Sequence, residues 1–271
     1  MSFDTIKRSA ADGRPIDLYT FSRGSGFVWR FTSADRDLTA ETQIYRAAVI
    51  QRGKIEQGSE AQRSNLKLTV PRDFQIAELY KIAPPSDAIN LVLRQYHYGD
   101  TEIKTLWQGE ITAVSFGPDD AEIELQPFSG NLRSTGLRRN YQKSCPFVLY
   151  GPDCTVNPAA VRTTGTAAVI VGSVITVNEA DPLADGFFDG GYIEWLVAPG
   201  TYDRRFIVSH VNAAITVDVT PLGLAVGQEV RLYPGCDHSI ATCQGKFSNA
   251  LNFGGMPYIP TKNPFGSDPV Y

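Results

Sequence analysis

Every cysteine of the chain falls in one of two short windows. Cys145 and Cys154 are separated by eight residues, Cys236 and Cys243 by six, and the 271-residue sequence holds no other thiol. The residues around both pairs are rich in Gly, Pro and Asp, a loop composition that suits ligands wrapped around a metal centre better than thiols dispersed through a core. The stretch between the pairs, residues 163–233, reads as a small β unit of its own. Cys154 and Cys236 are then the two feet of an insertion, and an insertion works when its feet lie close in space. A shared centre would hold them together and close that long loop.

The β reading rests on period-two alternation. Ile16–Phe21 alternates apolar and polar residues, and Phe27–Thr32 does so again after the Gly24-Ser25-Gly26 turn, which is hairpin patterning. Asn65–Val70 is a further alternating run stopped by Pro71, and Phe74–Ile82 can form a short helix that Pro84-Pro85 ends. Three strands follow at Ala88–Tyr98, Glu102–Phe116 and Glu122–Gln126, with turns at Tyr98-Gly99-Asp100 and Gly117–Asp120. Such a meander must bury one face, so a β-barrel or sandwich is expected. From Thr163 the pattern resumes as about six strands, the grammar of a small barrel. The expected fold is mainly β, in three parts. Residues 1–130 form an N-terminal β domain, 131–162 plus 234–271 a discontinuous four-cysteine module, and 163–233 an inserted small β-barrel.

Several function classes fall away on bulk properties. A net charge of −4 argues against a protein that coats nucleic acid. The longest apolar stretch, around Ala167–Val171, is far short of the roughly 20 residues of a membrane-spanning helix. Met1–Arg8 lacks the apolar core of a signal peptide, so synthesis in a cytosol is expected, where thiols stay reduced and paired cysteines point to metal more than to disulfides. Four thiolates suit Zn²⁺ or an iron–sulfur cluster. Gaps of eight and six residues are long for a zinc knuckle, which favours the cluster and leaves zinc and two local disulfides as open alternatives.

The tail from Cys243 to Pro260 is the second patterned tract. Its Gly254-Gly255 step permits positive φ and close backbone approach, so amides there could point at cluster sulfurs. Arg138, Arg139 and Lys143 could offset the negative charge of a four-thiolate cluster, although a basic stretch of this kind also reads as a solvated face. Among the three histidines, His238 lies beside Cys236 and reads as a neighbour of the centre or as solvent-facing, while His97 and His210 read as ordinary strand residues. Asp181, Asp185 and Asp189 lack the ligand order of a calcium loop and read as a solvated turn. Arg23–Gly26 lacks the Lys-Ser/Thr of a phosphate loop and reads as a hairpin turn.

The tract Cys145–Cys154, the Gly235-Cys236-Asp237 step, Cys243 and the tail Lys246-Phe247…Asn249…Asn252-Phe253-Gly254-Gly255 together resemble the tail-tip hub family of long-tailed phages and gene-transfer agents, including the lambda-type minor tail protein L. The Trp107–Ile111 strand and the Gln126-Pro127 exit agree with it, and the inserted barrel matches the gene-transfer-agent type. The resemblance implies a non-enzymatic structural protein of the virion tail tip, made and assembled in the bacterial host cytoplasm. It implies a [4Fe–4S] cluster on Cys145, Cys154, Cys236 and Cys243, with Zn²⁺ as the alternative occupant. It also implies a homotrimer joining the distal tail-tube-end protein to a central spike or fibre protein, with no nucleic-acid specificity and no membrane span. Two rivals stand beside it: an iron–sulfur redox protein, for which no second cofactor site is recognisable, and a zinc-stapled receptor- or carbohydrate-binding virion protein. The second would use barrel aromatics such as Tyr192, Trp195, Tyr202 and Phe206.

Overall fold

The alternation at Ile16 becomes strand β1 (Pro15–Arg23), and Gly24, at φ +54°, turns the chain into β2 (Phe27–Thr32) with Phe21 opposite Trp29. The computed structural model describes residues 3–9, 13–55, 65–98, 102–129 and 140–260. The chain forms two compact units, Met1–Ser134 with Val197–Asp203, and Thr135–Leu196 with Arg204–Tyr271.

In the first unit, helix α1 (Phe3–Arg8) precedes β1. After β2 come β3 (Leu38–Ala40), β4 (Gln43–Ala47), β5 (Gln51–Arg52) and β6 (Leu66–Pro71). Helix α2 (Gln75–Glu78) is followed by β7 (Asn90–His97), β8 (Ile103–Phe116) and β9 (Asp120–Pro127). Among the described residues, these nine strands join one sheet in the order β3-β4-β2-β1-β7-β8-β9-β6-β5, antiparallel except between β2 and β4. The expected barrel or sandwich is therefore corrected to a single nine-stranded sheet. The unforeseen strands β3, β4 and β5 lengthen the ladder at its two ends. Because side chains alternate across a strand, β1 buries residues on both faces. Tyr19 and Phe21 enter a core with Leu68, Leu91 and Ile123, while Leu18 packs with Tyr45 and Tyr96 on the other side. The helix expected over Phe74–Ile82 shrinks to α2. Its Ile76 and Ala77 are buried, and the chain breaks into turns before Pro84-Pro85, where the residue preceding a proline disfavours helix. Arg23–Gly26 is the expected hairpin turn. Within this unit Arg23 forms a buried ion pair with Asp203 at 3.3 Å, and the Gly26 N–H donates to Thr201 Oγ1 at 3.0 Å.

After helix α3 (Pro158–Val161) come β10 (Thr163–Val171), β11 (Val174–Val177), β12 (Tyr192–Ala198), β13 (Thr201–Val211), β14 (Ala214–Val217) and β15 (Glu229–Tyr233), all in the second unit except the Val197–Asp203 stretch of β12 and β13. These six close into a barrel in the order β10-β11-β14-β13-β12-β15, which removes free sheet edges, as the sequence led us to expect. Trp195, Ile193, Ile207, Ile215 and Leu232 fill it. Closure pairs the first strand with the last, Thr163 opposite Leu232, so the chain enters and leaves the barrel side by side. That pairing sets the two cysteine windows next to each other. Helix α4 (Ile240–Phe247) follows the exit. Among the described residues, no helix is long and apolar enough to cross a membrane.

Candidate metal centre

Leaving β15, the chain passes the 189–191 loop in backbone contact. A Cβ on Gly235 would lie 1.9 Å from the Asp189 carbonyl oxygen, and one on Gly191 would lie 1.9 Å from that of Tyr233. Glycine at both places lets the backbones touch and delivers Cys236 to a fixed point. His238 then takes φ +61°, a left-handed turn that redirects the chain into α4. Ser239 caps that helix, its Oγ accepting the Thr242 N–H at 3.1 Å. Cys243 is therefore carried on a capped helix and is buried. The helix ends at Ser248, φ +52°, where the Asn249 N–H returns to the Cys243 carbonyl at 3.0 Å.

The first cysteine window is held to the second by hydrogen bonds to main-chain carbonyls. The Cys145 N–H donates to the His238 carbonyl at 2.9 Å. Tyr150, at φ +64°, packs edge-on against Tyr192, Tyr233 and Phe247, and its hydroxyl donates to the Pro234 carbonyl at 2.6 Å. The Asn249 amide donates to the Cys154 carbonyl at 2.5 Å. As a result Cys145, Cys154, Cys236 and Cys243 all line one small cavity, whose remaining wall includes Phe147, Leu149, Val156, Phe247 and Phe253. All four are free thiols. Among the described residues, no three or more His, Cys, Asp or Glu side chains are grouped as a site for a metal ion. The four cysteines line a cavity shared with five apolar side chains and with His238, Ser239, Asn249 and Asn252.

The electrostatics follow from that wall. Burial pushes the Cys243 thiol up, and Cys236, Cys145 and Cys154 add to the shift. Burial also raises Cys236, against a hydrogen bond from the His238 N–H at 3.3 Å that favours its thiolate. Several thiolates cannot share an apolar cavity without a compensating positive centre. Asp237 sits below the usual carboxylate range because the Ser239 N–H donates to it at 2.9 Å. Lys246 is pulled down by burial and back up by Cys236, Asp189 and Asp237.

The other sequence candidates have mixed outcomes. Gly254 and Gly255 serve close approach, without positive φ. A Cβ on Gly254 would lie 2.5 Å from the Phe147 ring, and one on Gly255 would lie 2.6 Å from the Lys143 carbonyl. Arg138 and Arg139 lie outside the described residues, as does the Gly99-Asp100 part of the expected turn. Lys143 is exposed. Among the described residues, Lys246 is a cation set near the cysteines. The sequence marks it as the start of the tail motif and places it three residues after Cys243 on the helix, and neither signal assigns it a charge role. His97 and His210 are buried in β7 and β13 against Phe3 and Phe188. Asp185 and Asp189 are exposed, and each accepts a backbone N–H, from Asn212 and His210 respectively. The barrel aromatics do not share an outer face: Trp195 is in the core, Tyr192 stacks on Tyr233 at 4.3 Å, Tyr202 is half-buried, and Phe206 is exposed.

Residues 14–157 match the family described as baseplate hub protein, N-terminal attachment domain, and residues 186–263 match the phage conserved hypothetical protein BR0599 family. An uncharacterized protein of Xylella fastidiosa (strain 9a5c) is 26% identical over 183 residues, covering 62% of this chain and 38% of that protein. The chain thus spans well under half the length of that relative. Among solved structures, a chain in the virion of a native gene transfer agent particle has the same fold. It superposes with a TM-score of 0.79 at 21% identity, covering 99% of this chain and 96% of that one.

Proposed function

The chain belongs to the baseplate hub protein family, and from that premise we propose that it is a structural tail-tip hub of a long-tailed phage or gene-transfer-agent particle, clamped by a [4Fe–4S] cluster. The observation that carries the clamp is the convergence of the four cysteines on one cavity. The donor set fits such a group. It comprises four free thiols in an apolar wall, with one backbone amide already hydrogen-bonded to a sulfur. Cys145, Cys154, Cys236 and Cys243 would hold the cluster, which when bound supplies four iron–thiolate cross-links. The chain's own residues do the rest. Gly235, Ser239 and Asn249 fix the backbone that bears the ligands, and Phe147, Leu149 and Val156 keep water away.

In this reading the architecture has three parts: the sheet domain 1–130, the cysteine module 131–162 plus 234–271, and the barrel 163–233. Ligation fixes the module and the feet of the barrel together, because metal-binding free energy becomes folding free energy. The hub assembles as a homotrimer between the distal tail protein and a central spike or fibre protein, and it performs no catalysis. Anaerobic purification followed by absorbance, iron and sulfide analysis tests the clamp. A brown protein with about four iron and four sulfide per chain is expected. An iron-free protein that still assembles into infectious particles would refute it.

A further inference from the structure

Lys246 is the one charge-bearing side chain of α4, and it is turned inward. Its ammonium donates to two carbonyl oxygens, that of Phe187 in the loop before β12 and that of Gly235, the latter at 2.8 Å. The same ammonium lies 4.7 Å from the centre of the Phe187 ring and 5.9 Å from that of Phe247. Gly235 immediately precedes Cys236, and Lys246 follows Cys243 by three residues on its helix. One side chain thus ties the backbone of the third cysteine to the helix that carries the fourth, and ties both to the barrel loop.

The position has a cost. A lysine in an apolar setting loses hydration, and a neutral donor could make the same carbonyl bonds more cheaply. What a neutral donor could not supply is charge. Lys246 stands close enough to Cys236 and Asp237 for their fields to reach it, and it is not itself in the cavity wall. Four thiolates around an iron–sulfur core leave the site net negative, and a fixed cation just behind one ligand offsets that charge without competing for the metal.

We propose that Lys246 is the positioning residue and counter-charge of the cysteine centre, setting both the spacing of Cys236 and Cys243 and the reduction potential of the cluster; this rests on the cluster reading above. The test compares Lys246→Gln, which keeps an N–H donor and removes the charge, with Lys246→Arg, which keeps both. The full-length proteins are purified anaerobically, assayed for iron, and titrated with dithionite as the one-electron reductant while the cluster is followed by electron paramagnetic resonance. Removing the cation disfavours the more negative reduced state. The potential of Lys246→Gln should therefore shift negative, whereas Lys246→Arg should stay near wild type. Iron-loaded wild type and Lys246→Gln with the same potential overturn the counter-charge role while leaving the cluster reading intact. Iron-free wild type overturns both. If Lys246→Gln folds but loads no iron while Lys246→Arg loads fully, charge is required for assembly of the centre, which also supports the proposal. Equal loss of iron in both variants would overturn it.

Discussion

The side-chain amide of Asn249 donates to the main-chain carbonyl of Cys154 at 2.5 Å, binding the chain's C-terminal tract to the first cysteine loop across 95 residues of sequence. Its own Oδ1 accepts from Asn252 at 2.7 Å, so the donor and acceptor ends of the Asn249 amide are both used. Asn249→Asp keeps the acceptor for Asn252 but turns a carboxylate toward the Cys154 carbonyl. Loss of the bond and the new repulsion should cost about 1–3 kcal/mol. Equilibrium denaturation reads the loss, and residue-resolved alkylation should find Cys154 more reactive than in wild type. Unchanged stability would show that the bond contributes nothing to holding the loop.

Two glycines near the centre should respond in opposite directions to the same substitution. Gly235→Ala puts a methyl group 1.9 Å from the Asp189 carbonyl oxygen and 2.3 Å from the Gly190 carbonyl carbon. Both obstacles are backbone, so the clash forces chain movement. The expected loss is about 3 kcal/mol or more, with reduced iron content. Gly245, exposed in the middle of α4, has nothing within 4 Å of a Cβ and no positive φ. Gly245→Ala should stabilise by about 0.5–1 kcal/mol, because alanine restricts the unfolded chain and favours helix. Paired melting curves on the full-length variants check both signs.

Much of this arrangement was legible because the chemistry was scarce or periodic. Four cysteines in two windows announce a joint use, and the alternation of Ile16–Phe21 and Phe27–Thr32 around Gly24-Ser25-Gly26 announces a hairpin that the structure contains. What stayed hidden depends on partners far away in sequence. Strands β3 and β5 are three and two residues long, too short to show a period, and they exist only because a neighbouring strand offers its edge. Lys246 is legible as part of the tail motif, but its partners, the carbonyls of Phe187 and Gly235, are not. The Gly254-Gly255 step was visible as a close approach, but its neighbours were not: it meets Phe147 and the Lys143-Ser144 backbone, where sulfur contacts had been the expectation.

The role of the metal can be separated from that of the thiols. Treating the anaerobic protein with an iron chelator should lower the melting temperature of the second unit and leave the nine-stranded sheet, which carries none of the cysteines, unchanged. Cys243→Ser should reproduce the chelated state, since a buried serine at that place gives the cluster only three thiolates. Differential scanning calorimetry resolves the two transitions. A chelated protein that melts like the untreated one would show that the centre is not a clamp.

Alkaline pH should weaken the tyrosine cluster beside the centre. Burial pushes the Tyr192 hydroxyl up to about 12, with Tyr233 and Glu194 adding to the shift and Arg204 opposing it. Burial likewise raises Tyr80 to about 12 in the other unit. An unfolded tyrosine ionises near 10. The folded protein therefore holds these protons more tightly than the unfolded chain, and their contribution to stability is fully present below about pH 10 and is lost as pH rises through about 12. Denaturation midpoints taken between pH 9 and 12 should fall across that window. In Tyr192→Phe, which keeps the ring against Tyr233 but has no hydroxyl to ionise, the fall should be shallower. Parallel slopes for the two proteins would assign the alkaline loss to other groups.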